Sequence, residues 1–167
     1  PSSLSQDDLA AMSALLSLRP RTICLAHFTY SGVDEECMES VIREILIGSG
    51  RKDLRISIHQ NLSDDALISR MRSKAVGIFL KTDCDLLFLL DHDISFAPGN
   101  LLEMSALAIE ENAAIAGAYS KRQPGNLIAT RVEKDGLVFR PNGTQLHPCE
   151  ALATGFLALP RSVIQTT

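Results

Sequence analysis

Three observations predict a single α/β domain, built on a doubly wound, mainly parallel central sheet with helices on both faces. The chain has 167 residues, 46% hydrophobic and 22% charged, which suits an ordinary globular domain and gives enough length for one core. Helical and strand-like patterns alternate from residue 5 to residue 119, the order that right-handed crossovers between parallel strands produce. The run Asp85–Leu90 is apolar at five of its six positions, as in a strand covered by helices on both sides.

Each element has its own local reason. Residues 5–18 place Leu9, Met12, Leu15 and Leu16 at helical spacing, behind Ser5 as N-cap and the acidic Asp7 and Asp8. Arg19-Pro20-Arg21 ends that helix, and TICLAHF (22–28) reads as a buried strand. A loop, TYSGVDE, then enters a helix whose inward face is expected to be Met38, Val41, Ile42, Ile45 and Leu46. Gly48-Ser49-Gly50 follows this helix rather than a strand, so it reads as a C-terminal cap and not as a phosphate cradle. Leu54–His59 alternates like a second, less buried strand. Ser63-Asp64-Asp65 supplies a cap and acidic first turn for a helix from Ala66 to Thr82, with Arg70, Arg72 and Lys74 on its polar face. After the apolar run, a helix is expected over about 99–112 and a strand over AAIAGAY (113–119). Beyond Tyr119 the chain is rich in Gly, Pro and Asn. Hairpin signals stand at Lys134-Asp135-Gly136 and Pro141-Asn142-Gly143, and a last strand at 153–159.

Composition narrows the function. A net charge of -4, an aromatic fraction of 5% and no Trp argue against a nucleic-acid partner. The scattered Cys24, Cys37, Cys84 and Cys149 form no CxxC pair and read as free thiols of a reducing compartment. No apolar run approaches the roughly 20 residues that span a bilayer, and the N-terminus lacks a signal-peptide pattern. The expected location is cytoplasmic, with no transmembrane segment and with homo-oligomerisation left open.

Chemistry concentrates where the apolar run ends. Ligands of open α/β sheets bind beyond the carboxyl ends of the strands, where Asp91 and Asp93 stand. Residues two apart on an extended chain face the same way, so this pair is expected to share a divalent cation while His92 points elsewhere. Carboxylate oxygens suit Mg²⁺ or Mn²⁺, which complete their shells with water and phosphate. Such an ion would offset charge on a diphosphate leaving group. The structural alternative is a loop with Asp93 as an N-cap. His27 and His59 end their strands on the ligand rim, Arg72 offers planar donors to a diphosphate, and Lys121-Arg122 read equally as rim or as solvated surface.

With those residues in view, the chain resembles the GT-A nucleotide-sugar glycosyltransferases, especially the family 2-like enzymes, from Thr22 to Val163. The likeness rests on LLFLLDHDISFAPGNL, on AAIAGAYSKR, and on ATGFLALPRSVI, which resembles the family's Gly-containing strand with its adjoining basic residue. MRSKAV resembles the family's Ala-Arg-Asn helix, with Arg72 at the Arg and Ser73 replacing the Asn. The resemblance implies one GT-A, Rossmann-like domain over 1–167, with an N-terminal helix (1–20), a nucleotide-binding half (21–119) and an acceptor-side half (120–167). It implies transfer of a sugar from a nucleotide-diphosphate donor to a glycan, lipid or protein acceptor, with Mn²⁺ or Mg²⁺ as cofactor. Asp91 and Asp93 would hold the metal, and Asp91, His92, Arg72, His27, Phe28 and Thr29 would line the donor nucleotide. Asn61, with Gln60, stands where the family often has an acidic residue for the nucleoside.

Inverting members place a catalytic carboxylate beyond the ATGF-like strand, and this chain ends first. Three expectations follow: a C-terminally truncated domain, a base supplied by Glu150 or a partner chain, or a nucleotide-sugar-binding domain without chemistry of its own. A haloacid-dehalogenase-like phosphohydrolase also begins with an apolar strand and DxD, with Asp91 as nucleophile, but the downstream acidic pair of that class is missing.

Overall fold

The computed structural model describes residues 21–29, 32, 34–50, 54–62, 67–120, 127–128, 146 and 152–166. Strands β1 (Arg21–Thr29), β2 (Leu54–Leu62) and β3 (Leu86–Asp91) form the parallel centre, β1 pairing in parallel with both others. Their crossovers are helices α1 (Glu35–Ser49) and α2 (Ile68–Phe79), followed by α3 (Asn100–Glu110). Short strands β4 (Ile115–Ala116), β5 (Tyr119–Ser120) and β6 (Leu127–Ile128) precede β7 (Phe156–Pro160) and the one-turn α4 (Arg161–Gln165).

The apolar run of β3 is explained by its two faces. Leu86, Phe88 and Leu90 pack with Ile23 and Leu25 of β1, with Cys37 and Val41 of α1, and with Leu101, Leu102 and Ala108 of α3. Leu87 and Leu89 point the other way, joining Cys24, Ala26 and Phe28 against Met71, Ala75 and Phe79 of α2. Helices therefore cover both faces. Each such side chain contributes about 1.5–3 kcal/mol when fully buried, so this six-residue strand anchors the domain.

The main sheet has the order β2-β1-β3-β7-β4 and is mixed. The expected last strand, now β7, runs antiparallel to β3 on one side and to β4 on the other. A short apolar segment looks the same in either direction, so its orientation had no sequence signal. The strand expected over 113–119 is two separate pairs: Ile115–Ala116 joins β7, while Tyr119–Ser120 pairs with Leu127–Ile128 in a second sheet. β2 continues to Leu62, so His59 lies inside the strand rather than at its end.

The inward face of α1 also differs. Cys37, Ser40, Val41, Glu44 and Gly48 are buried, whereas Ile42 and Leu46 are 49% and 66% exposed. The buried Glu44 carboxylate accepts from the Leu102 amide at 3.3 Å and, through a shorter contact, from the Gly99 amide. It thereby satisfies donors at the start of α3, where Gly99 holds the N-cap position in a left-handed conformation (φ 92°). α1 itself starts on Asp34, whose carboxylate accepts from the amides of Glu36 (3.0 Å) and Cys37 (3.4 Å), and it closes at Gly50 in the right-handed region. α2 begins at Ile68 with Leu67 at its N-cap; the expected cap Ser63-Asp64-Asp65 lies outside the described residues, as do the expected helix over 5–18 and both hairpins. Among the described residues, no helix is long and apolar enough to cross a membrane.

Candidate functional site

Asp91 is the last residue of β3, fixed from behind by its amide donating to the Gly155 carbonyl at 2.8 Å. Its two carboxylate oxygens accept from one Nη2 of Arg72 at 2.9 and 3.1 Å. The strand stops here, because the Ile94 amide returns to the Asp91 carbonyl at 3.3 Å and closes a turn over 91–94. Asp93 is therefore exposed on a turn and not a strand neighbour of Asp91, so the two-residue period of extended chain does not reach it. Both carboxylates nevertheless act electrostatically on the same neighbours, the Tyr119 hydroxyl and the Cys37 thiol.

Arg72 reaches the strand end from α2. Its guanidinium carbon lies 5.8 Å from the centroid of the Phe28 ring, and its Nε is buried with no hydrogen-bond partner among the described residues. Thr29, the last residue of β1, is 4% exposed, and its hydroxyl likewise finds no partner among the described residues. Two orphaned donors at the ends of neighbouring elements are unusual, since buried polar groups are normally satisfied.

Opposite them stand Tyr119 and Gly155. A Cβ on Gly155 would lie 2.6 Å from the Tyr119 hydroxyl and 2.8 Å from Asp91 Oδ2, so only glycine lets these groups approach. Burial raises the pKa of the Tyr119 phenol, with the Gly155 amide pulling it down and the Asp91 charge pushing it up. Beneath the turn, His27 is buried with Nε2 3.5 Å from Cys37 Sγ. Burial first, and then the His92 charge, lower the His27 pKa, so its ring is neutral near pH 7. Burial pushes the Cys37 thiol up to about 11, which makes it a packing group rather than a thiolate. The His92 carbonyl accepts from the Asp34 amide at 3.2 Å, tying the turn to the start of α1.

Among the residues expected at the site, Asp91, Arg72, Phe28 and Thr29 therefore meet at the ends of β1 and β3. Asp93 and His92 lie on the adjoining turn. His27 is turned inward to Cys37 and is not on an open rim. Asn61 pairs in register with Phe28 on β2. Glu150, Lys121 and Arg122 lie outside the described residues. Arg161, the basic residue beside the ATGF stretch, sits at the opposite edge of the sheet, where its amide donates to the Asp85 carbonyl at 2.9 Å.

No family model and no curated protein matches the chain. Among solved structures, it is similar to the crystal structure of A197 from STIV, with a TM-score of 0.58 and 17% identity over 88% of this chain and 68% of that one. At that identity the likeness speaks to the fold alone.

Among the described residues, no three His, Cys, Asp or Glu side chains converge as a ready-made metal cluster. The donor set still suits a hard divalent cation, because Mg²⁺ takes one or two carboxylates together with water and phosphate oxygens. A carboxylate offers about four lone-pair sites, and the single Arg72 nitrogen engages those on the side where both Asp91 oxygens can be bridged. Sequence reading missed Tyr119, Gly155 and Asp34. The SGVDEE string carries the N-cap signal for Asp34, but nothing local to Tyr119 or Gly155 marks their meeting with Asp91.

Proposed function

We propose that the chain is a GT-A-type glycosyltransferase domain, binding a nucleotide-diphosphate sugar at the ends of β1 and β3 for transfer to an acceptor. The observation that carries this reading is the junction of Asp91 with Arg72 above Phe28, a carboxylate and a planar cation at the ligand-facing end of the central strands. Asp91 and Asp93 would hold Mg²⁺ or Mn²⁺, which supplies charge compensation to the departing diphosphate. Arg72, 21% exposed at its side chain, would donate to diphosphate oxygens. Thr29 would donate its hydroxyl to the bound nucleotide. In the transfer, the bond between the sugar's anomeric carbon and the diphosphate oxygen breaks and a bond to an acceptor oxygen forms, the acceptor proton passing to a base. A phosphohydrolase would need the Asp91 carboxylate free to attack phosphorus, and the Arg72 contact to both oxygens weighs against that.

Calorimetry of the chain against UDP and GDP, with Mn²⁺ or Mg²⁺, tests the reading. Binding that requires the cation and falls at least about a hundredfold in Asp91→Ala is the expected outcome, the order of a lost metal ligand or charge pair. Absence of nucleotide binding with either cation would overturn it.

A further inference from the structure

We propose that Arg72 is a latch on Asp91 that makes cation binding conditional on a nucleoside diphosphate. The inference rests on the reading above and adds an order of events to it. One Nη2 bridges both oxygens of Asp91, at 2.9 and 3.1 Å, so the guanidinium occupies the face a cation would take. A cation arriving alone must displace a charge-assisted hydrogen bond and then sit beside the displaced positive charge.

The latch is nonetheless poised to open. Arg72 satisfies only part of its donor set on Asp91, its Nε having no partner among the described residues, whereas a diphosphate presents several acceptor oxygens to a planar donor group. With side-chain exposures of 21% for Arg72 and 25% for Asp91, the pair is sheltered yet reachable. The Phe28 ring, 5.8 Å below, supports the guanidinium while its donors change partner. A diphosphate that draws Arg72 away frees the Asp91 oxygens for the cation at the same moment. Nucleotide and cation then bind cooperatively, and each raises the affinity of the other by the same factor.

The test is Mn²⁺ titration of the wild-type chain, Arg72→Gln and Arg72→Lys, read by the electron paramagnetic resonance of free Mn²⁺, without nucleotide and with saturating UDP or GDP. Circular dichroism and the denaturation midpoint establish that each variant is folded, and Arg72→Lys carries the test if Arg72→Gln is not. The wild type is expected to bind Mn²⁺ weakly alone and more tightly with nucleotide. Arg72→Gln should bind Mn²⁺ alone about tenfold more tightly, the order expected when one charge-assisted hydrogen bond no longer competes, and should gain less from nucleotide. Arg72→Lys, which keeps the charge but not the planar donors, should fall between the two. Equal Mn²⁺ affinity of wild type and Arg72→Gln without nucleotide, or of wild type and Arg72→Lys, overturns the latch while leaving the nucleotide-binding reading intact. No Mn²⁺ binding by the wild type even with nucleotide overturns both.

Discussion

At the edge of the sheet where β3 begins, Arg161 donates from Nε to the Cys84 carbonyl at 2.8 Å and from Nη2 to the carbonyls of Thr82 at 2.8 Å and Phe79 at 3.2 Å. Its guanidinium carbon lies 4.4 Å from the centroid of the Phe79 ring. At the edge where β3 ends, Arg72 also lies over a phenylalanine, yet among the described residues it reaches only a carboxylate and leaves Nε unpaired. The two acids of the strand repeat the contrast. Asp85 accepts the Thr22 amide on its carboxylate at 2.9 Å, a backbone partner, while Asp91 is matched by a side chain that can move. A cation locked onto the carbonyls that end α2 closes a helix; a cation half satisfied at a strand end is available to a ligand.

The largest effect that would break this comparison comes from Arg161→Ala. Removing its bonds to the Thr82 and Cys84 carbonyls and its contact with the Phe79 ring should cost about 2–4 kcal/mol by urea denaturation, with nucleotide affinity unchanged in the folded protein. A stable Arg161→Ala that no longer binds nucleotide would reverse the roles assigned to the two edges. Gly155→Ala comes next. Its Cβ would press on the Tyr119 hydroxyl and Asp91 Oδ2, at a cost of about 1–3 kcal/mol, and nucleotide binding should weaken along with stability. Unaltered stability and binding in this variant would mean that the site end tolerates displacement.

The smallest effect concerns Glu44, in the core between the edges. Burial raises its pKa above the ordinary value of 4.5, with the Gly99 and Leu102 amides pulling it back. Between its unfolded and folded pKa values the folded chain holds more proton than the unfolded one, so stability falls as pH rises through that window. Glu44→Gln removes the titration and keeps an acceptor oxygen for one of the two amides, turning an NH2 group toward the other. Its stability, followed by denaturation from pH 4 upward, should lack that share of the wild-type decline; identical slopes would show that the amides hold the carboxylate at its unfolded pKa.

The sequence made the parallel centre legible because β1 and β3 are buried on both faces, and few arrangements other than a covered strand call for LLFLL. The expectation for Asp91 and Arg72 drew on a carboxylate at the end of a dry strand and on a basic residue of the helical polar face, and the structure brings these two into contact. The α1 face was misjudged because Glu44 takes a core position through two distant amides while Ile42 and Leu46 face outward, which inverts the usual hydrophobic rule. The strand was expected to continue through Asp93, but one hydrogen bond, Ile94 to Asp91, ends the extended geometry on which the period-two argument relied. Tyr119 and Gly155 come together with Asp91 only through the antiparallel entry of β7, which no short segment encodes.

That strand sets a length as well as a direction. Five residues long, β7 spans about 17 Å at roughly 3.4 Å per residue, and it presents Gly155 to one edge of the sheet just before it begins and Arg161 to the other just after it ends. It therefore gauges the separation between the clamp and the ligand-facing edge, and a slip of one residue would exchange Phe156 and Ala158 for Leu157 on the α1 face. Because Arg161 meets Cys84 across 77 residues of chain, this gauge is set by one of the most distant contacts in the molecule. Closing so long a loop costs more chain entropy than closing the local crossovers, and the same strand carries that cost for both edges of the sheet.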